Sequence, residues 1–397
     1  VTELVTAAAS LLPDLVDLRR RMHRDPEVGL DLPRTQRLVL DALARLDLEI
    51  STGADVTSIT AVLRGDHPGP TVLLRADMDA LPLAEETGLP FASVTGTMHA
   101  CGHDLHTAAL IGAARLLATR RASLRGDVVF MFQPGEEGYD GAAAMIDEGV
   151  LRASGRMPVA AYAAHVVPGP AGRFSTRRGA LMAGTADLRI EMHGAGGHGS
   201  QPHTAIDPVV AIAELVTALQ VMVTRRFSVF DPVVVTVTQL AAGSAINVIP
   251  ASASLGATVR TLSREADERL RVEIRRLAEG IAAAHGCTSV VEFSADYPVT
   301  VNDDVEADWV GEVLAETFGA DRSAVERQPL MASEDFSRIL EAVPGALLLL
   351  GASPADLDPA DSAWNHSPHV RFDDGVLGDL AAALATLAVR RLELGTA

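Results

Sequence analysis

Cysteine is nearly absent: the chain carries two thiols, Cys101 and Cys287, in 397 residues. Two thiols so far apart make no disulfide framework, and their scarcity favours a reducing compartment, with the cytosol as the default. Basic residues are outnumbered, 33 Lys+Arg against 52 Asp+Glu, for a formal charge of −19. Nucleic acid and anionic membrane surfaces both need clustered Lys/Arg to release counterions, so neither is expected as a partner. Long apolar runs are also lacking, since none reaches the roughly 18–20 residues that cross a bilayer. The N-terminal stretch VTELVTAAASLLPDLVDLRRRMHRDPE carries acids where a secretory peptide would carry early Lys/Arg, and it reads as an amphipathic first helix. No internal repeat or low-complexity tract is evident. What is present, an apolar fraction of 48%, allows a large core shared between two domains.

Helical and strand patterns alternate along the first part of the chain. TVLLRA (71–76), DVVFMF (127–132) and PVAAYAAH (158–165) read as buried strands, separated by helical segments such as HTAALIGAARLLATRR and GAAAMIDEGVL. From about residue 183 the texture changes to a strand, helix, strand, strand, helix, strand order, which describes a ferredoxin-like α+β unit. The alternation then resumes with ADWVGEVLAETFG, GALLLLGA and a final helix. The expected fold class is therefore α/β: a helix-covered sheet forms a discontinuous catalytic domain from residues 1–182 and 298–397, and the ferredoxin-like domain is inserted over 183–297.

Polar motifs follow each buried run: DMDALP after the first, QPGEEG after the second and HVVPG after the third. Ligands gather at the carboxyl ends of strands in open α/β sheets, so acids and a histidine accumulate at one edge. The scarce thiol sits in MHACGHDLH, ahead of a helix start, where the backbone dipole favours a thiolate. Such a cysteine could be a nucleophile or a metal ligand. In QPGEEG, adjacent glutamates in a glycine-flanked loop can point in different directions, one to a cation and one to a water. Cys101, His103, His165, His366 and a glutamate together form a donor set suited to Zn²⁺, Mn²⁺, Co²⁺ or Ni²⁺. A cysteine protease would not need the glutamate pair.

The segments HRDPEVGL, RADMDALPL, MHACGHDLHTAALIGAA, FQPGEEGYDGAAAMIDEGVL, GGHGSQPH, INVIP, MASEDFS and NHSP, in this order, resemble the M20 metallopeptidase family from about residue 20 onward. The likeness is to its amidohydrolase branch, which acts on N-acyl amino acids. It implies two divalent cations, Zn²⁺ foremost, bridged by Cys101 where most of the family has an aspartate. His103 and His165 would complete one coordination shell, and Glu137 and His366 the other. Asp79 would orient a ligating imidazole, and Glu136 would serve as general base toward the attacking water and then the leaving amine. His198 would polarise the scissile carbonyl, and Asn247 and Arg260 would hold the substrate carboxylate. The inserted domain would act as lid and dimerisation domain, giving a homodimer. Asp104 is expected to orient His103 or cap its helix, and Glu334 to fix the site by hydrogen bonding.

Two segments depart from the branch: Leu32 stands where relatives carry a glutamate, and GHGSQPH replaces the commoner GHAAMPH beside His198. The reaction implied is hydrolysis of the amide bond of an N-acyl-L-amino acid. A dipeptidase or carboxypeptidase of the same clan is the alternative, followed by a metal-free hydrolase with Cys101 as nucleophile.

Overall fold

The computed structural model describes residues 2–395. The chain forms two compact units: the larger comprises the chain up to Leu181, Val301–Gln328 and the chain from Asp335, and the smaller comprises Met182–Thr300 with Pro329–Glu334. The segment Pro329–Glu334, expected with the second part of the catalytic domain, clusters with the smaller unit. Local pairing explains this: Leu330 bridges Met182 in parallel, and its carbonyl accepts the Ala183 N–H at 2.9 Å.

The larger unit is built on an eight-stranded mixed sheet. Its order is Glu49–Thr52, Ile59–Arg64, Arg125–Gln133, His67–Asp77, Ala160–Val167, Gly345–Gly351, Phe174–Thr176 and Ser323–Val325. The four central strands run parallel. Their unbroken apolar runs follow from burial on both faces, and Leu74, Phe130, Tyr162 and Leu348 are fully enclosed. Parallel alignment brings the carboxyl ends of all four strands to one edge. The helices Thr2–Arg24, His103–Ala118 and Val376–Leu394 contribute to the same core through Leu15, Leu110 and Leu384. They meet at Gly112, where a Cβ would lie 2.8 Å from both the Ala381 Cβ and a Leu15 methyl, so only glycine permits this approach. The helix expected through GAAAMIDEGVL stops at Asp147. Gly149, at φ 91°, turns the chain into a separate 3₁₀ turn over Val150–Arg152.

The smaller unit has a four-stranded antiparallel sheet in the order Val234–Ala242, Ser252–Thr261, Gly184–His193, Thr288–Tyr297. Two helices complete the ferredoxin-like arrangement. Pro208–Arg226 is capped by Asp207, which accepts the Val209 N–H, and Arg264–Ala284 by Ser263, which accepts the Ala266 N–H. Ala253, Leu255, Ala257 and Val259 alternate inward against Leu215, Leu219, Leu270 and Ile274. Helix Pro208–Arg226 is long and apolar enough, by length and composition, to cross a membrane. In the folded unit it instead buries Ala211, Ile212, Leu215, Leu219 and Met222 in the core.

Candidate metal centre

Five segments deliver functional side chains to the carboxyl edge of the large sheet. Strand His67–Asp77 leads into Asp79, strand Arg125–Gln133 leads into Glu136 and Glu137, and His165 lies two residues before the end of strand Ala160–Val167. Cys101 and His103 flank Gly102, the N-cap of helix His103–Ala118. Gly102 has φ 86°, and a Cβ there would lie 2.3 Å from a Val166 methyl, so both the left-handed backbone and the contact demand glycine. His366 arrives on the NHSP loop at φ 70°, rare for a residue with a side chain, with its N–H on the Ala100 carbonyl at 3.0 Å.

The donor atoms converge on the Cys101 sulfur. His165 Nε2 and His366 Nε2 each lie 3.3 Å from Sγ, and His366 Nε2 lies 3.1 Å from Glu137 Oε1. Cys101, His103 and His165 bring one donor atom each within 4.8 Å of one another, and so do Cys101, Glu137 and His366. The ring orientations fit a cation. His103 Nδ1–H donates to the Asp79 carbonyl at 3.0 Å, and His165 Nδ1–H donates to the Val166 carbonyl at 2.8 Å. In the neutral rings each Nε2 lone pair is thereby left inward. His103 Nε2 is buried with no hydrogen-bond partner among the described residues. Orphaned polar atoms of this kind are costly unless something else binds them, and one sulfur, three imidazoles and a carboxylate match a borderline-soft divalent ion.

Electrostatics support the same reading. Burial and the adjacent Glu137 push the Cys101 thiol up, so it is poorly disposed to act as an unassisted thiolate nucleophile. Hydrogen bonds to Cys101 and Glu137 push His366 up to about 10. Burial holds His165 well below the usual histidine range, and its neighbour His106 adds to this, so His165 is neutral. Cation binding here must displace protons, and affinity falls as pH is lowered.

A buried polar frame surrounds these donors. The Asp79 carboxylate accepts the Glu136 N–H on Oδ1 and the Glu137 N–H on Oδ2, both at 3.0 Å. Asp79 therefore orients His103 chiefly through its main-chain oxygen, with Oδ1 3.5 Å from His103 Nδ1, while its side chain holds the glutamate loop. Glu136 is buried, with Oε2 4.0 Å from His103 Nε2. Asp77 is committed to Arg75 at 2.7 Å and to His106 Nδ1 at 2.6 Å. Burial alone would raise its carboxyl, but Arg75 and then the two histidines hold it well below the carboxylate range. His106 Nε2 accepts the Val166 N–H at 2.8 Å, so both ring nitrogens are occupied. Asp104 does not reach His103; the N-cap residue is Gly102, and Asp104 Oδ1 accepts the first-turn Leu105 N–H at 3.0 Å. Its carboxylate binds Arg19 at 2.6 Å and His23 at 2.7 Å, tying the first helix to the ligand-bearing one. Arg19, His106 and Asn365 were not among the expected site residues; His23, within HRDPEVGL, and Asn365, within NHSP, lay in motifs that offered a signal.

The smaller unit holds the other expected residues. His198 is exposed on a two-residue strand paired with Val248. Its Nδ1 accepts from the Ser200 N–H at 3.1 Å and from Ser200 Oγ at 2.9 Å, which places the neutral ring's proton on Nε2. Asn247 is exposed beside it, its carbonyl accepting the Gly199 N–H at 2.8 Å. Arg260 lies on strand Ser252–Thr261 and donates to Thr258 Oγ1 and the Val259 carbonyl, each at 2.8 Å, and also to Thr185 Oγ1. Glu334 is buried in this unit.

Residues 73–390 match the family described as Peptidase family M20/M25/M40. Thermostable carboxypeptidase 2 of Saccharolobus solfataricus is 35% identical over 385 residues, 95% of each chain. N-acetylcysteine deacetylase of Bacillus subtilis is 36% identical over 382 residues, 96% of this chain and 97% of that one. A solved Bacillus subtilis structure, described as a dinuclear metal binding peptidase from the M20 family, superposes with a TM-score of 0.83 at 33% identity, covering 97% of this chain and 99% of that one. Fold, donor set and relatives together define a metal-dependent hydrolase of linear amide bonds. The chain belongs to peptidase family M20/M25/M40, in keeping with its amidohydrolase branch.

Proposed function

We propose that the protein hydrolyses the amide bond of N-acyl-L-amino acids, releasing a carboxylic acid and a free amino acid. The observation that carries this reading is the pair of three-residue donor groups sharing Cys101, with Glu136 beside them. Cys101 would bridge two divalent ions, His103 and His165 would complete one shell, and Glu137 and His366 the other. Zinc suits this set best, with manganese, cobalt or nickel as substitutes. Two cations there would supply Lewis acidity, lowering the pKa of a water from about 16 toward 7. Glu136 takes a proton from the attacking water and delivers it to the departing amine. His198, with its proton held on Nε2 by Ser200, donates to the carbonyl oxygen as negative charge develops there. Asn247 and Arg260 take the substrate carboxylate. We also propose that the protein works in the cytosol as a homodimer joined through the inserted domain, which closes as a lid.

The carboxypeptidase relative, at 35% identity against 36% for the deacetylase, favours a second reading, cleavage of peptides. A panel of N-acetyl, N-benzoyl and long-chain N-acyl amino acids, with unblocked dipeptides, separates the two. Chelator-treated protein should be inactive, and Zn²⁺, Mn²⁺, Co²⁺ or Ni²⁺ should restore cleavage of the acylated substrates. Restoration only on unblocked peptides supports the second reading, and full activity without metal returns Cys101 to the role of nucleophile.

A further inference from the structure

We propose that Asn365 is a positioning residue for the cation pair: its side-chain amide ties the Cys101 sulfur, the His165 strand end and the His366 loop into one unit and sets cation affinity. The inference rests on the reading of Cys101 as the shared ligand. Asn365 Nδ2 lies 3.1 Å from the Val166 carbonyl, 3.3 Å from the Cys101 carbonyl and 3.7 Å from Cys101 Sγ. An amide nitrogen carries two hydrogens, so one goes to Val166 and the other is divided between the Cys101 oxygen and sulfur. The Val166 carbonyl also accepts His165 Nδ1–H, and the Val166 N–H is held by His106. The Val166 carbonyl thus fixes the His165 ring while Asn365 ties that carbonyl to Cys101.

The consequences reach both donor groups. His366 follows Asn365 directly, in a segment outside any helix or strand. The segment is held to the centre by the Asn365 amide and by the His366 N–H on the Ala100 carbonyl. Without Asn365, only one of these two ties remains beside a residue at φ 70°. An N–H directed at a thiolate also stabilises its negative charge, a means by which proteins tune sulfur-ligated metals. Asn365 therefore acts on geometry and on sulfur electronics together.

The test is a Co²⁺ titration of chelator-treated full-length protein. It is read by the thiolate-to-cobalt charge-transfer band and by competition with a chromophoric chelator. Asn365→Ala should weaken cation binding about 10- to 100-fold, the range typical for groups that orient metal ligands, and move the band to lower energy. Asn365→Ser, whose hydroxyl stops one bond short of Nδ2, carries the same expectation should the alanine variant fail to fold. Wild-type affinity and an unmoved band in a folded variant overturn the inference. A wild-type protein that binds Co²⁺ with no thiolate band, like Cys101→Ser, overturns the ligand reading itself and the inference with it.

Discussion

Replacing Asp79 by asparagine tests whether its carboxylate works through the glutamate loop, as the geometry indicates, or through His103. The two Asp79 oxygens each accept a main-chain N–H at 3.0 Å, from Glu136 and Glu137, while His103 Nδ1–H is satisfied by the Asp79 carbonyl. Asparagine keeps one acceptor and turns the other into a donor facing a donor. One charge-assisted hydrogen bond is lost, worth about 1.5–3 kcal/mol. At about 1.36 kcal/mol per decade, that corresponds to roughly a 10- to 150-fold loss if it falls wholly on the placement of Glu136. The His103 main-chain anchor is untouched. Asp79→Asn should therefore lower kcat by this factor while Co²⁺ at the His103 position keeps its visible spectrum. The assay is steady-state hydrolysis of the best N-acyl substrate, paired with Co²⁺ absorption and thermal melting. An unchanged kcat, or a changed His103-site spectrum with the loop intact, refutes the reasoning.

Three further outcomes follow from described contacts. Glu136→Gln should lower kcat about 10²- to 10⁴-fold and leave cation content unchanged by elemental analysis; loss of cations together with activity would make Glu136 a ligand rather than a base. Arg19→Met leaves the buried Asp104 carboxylate without its guanidinium partner, with His23 alone facing it, and should cost about 3–5 kcal/mol in denaturant unfolding; a loss under about 1 kcal/mol contradicts the account of this pair. Burial would raise the Asp104 carboxyl, but Arg19 and His23 hold it below its ordinary 3.8. A depressed carboxyl stabilises the fold above its unfolded value and loses that effect as pH falls through the folded one. The gap between wild type and Arg19→Met should accordingly narrow below about pH 4, and a gap constant down to pH 2 would show that Asp104 does not carry it.

Much of the architecture was legible because parallel strands buried on both faces read as mostly apolar runs, with polar residues gathering where those runs end. The same rule placed Asp79, Glu136, Glu137 and His165 at strand ends, and the structure brings Cys101, His103, Glu137, His165 and His366 together. The support around them was less legible. Asp79 offers both a carboxylate and a carbonyl, and only the course of the backbone decides which one meets His103. Arg19 reaches Asp104 and Asp374 across 85 and 355 positions, a pairing that no local pattern announces. Pro329–Glu334 joins the smaller unit through pairing at Leu330, which spacing does not encode. Helix Pro208–Arg226 passes a membrane criterion because Glu214 is its only charged residue before Arg225.

The order of strands in the large sheet has a consequence for biosynthesis. Strand Gly345–Gly351 fills the slot between Ala160–Val167 and Phe174–Thr176, so the sheet stays open until the last part of the chain leaves the ribosome. Domains fold as units during synthesis, and the ferredoxin-like insertion, whose four strands are all made by Tyr297, can close first. His366 arrives last of the proposed ligands, some 200 residues after His165. A nascent chain therefore presents a thiol, two imidazoles and the Glu137 carboxylate before His366, the last of the five proposed donors, exists, so on that ligand set the second coordination shell would be completed only late in translation.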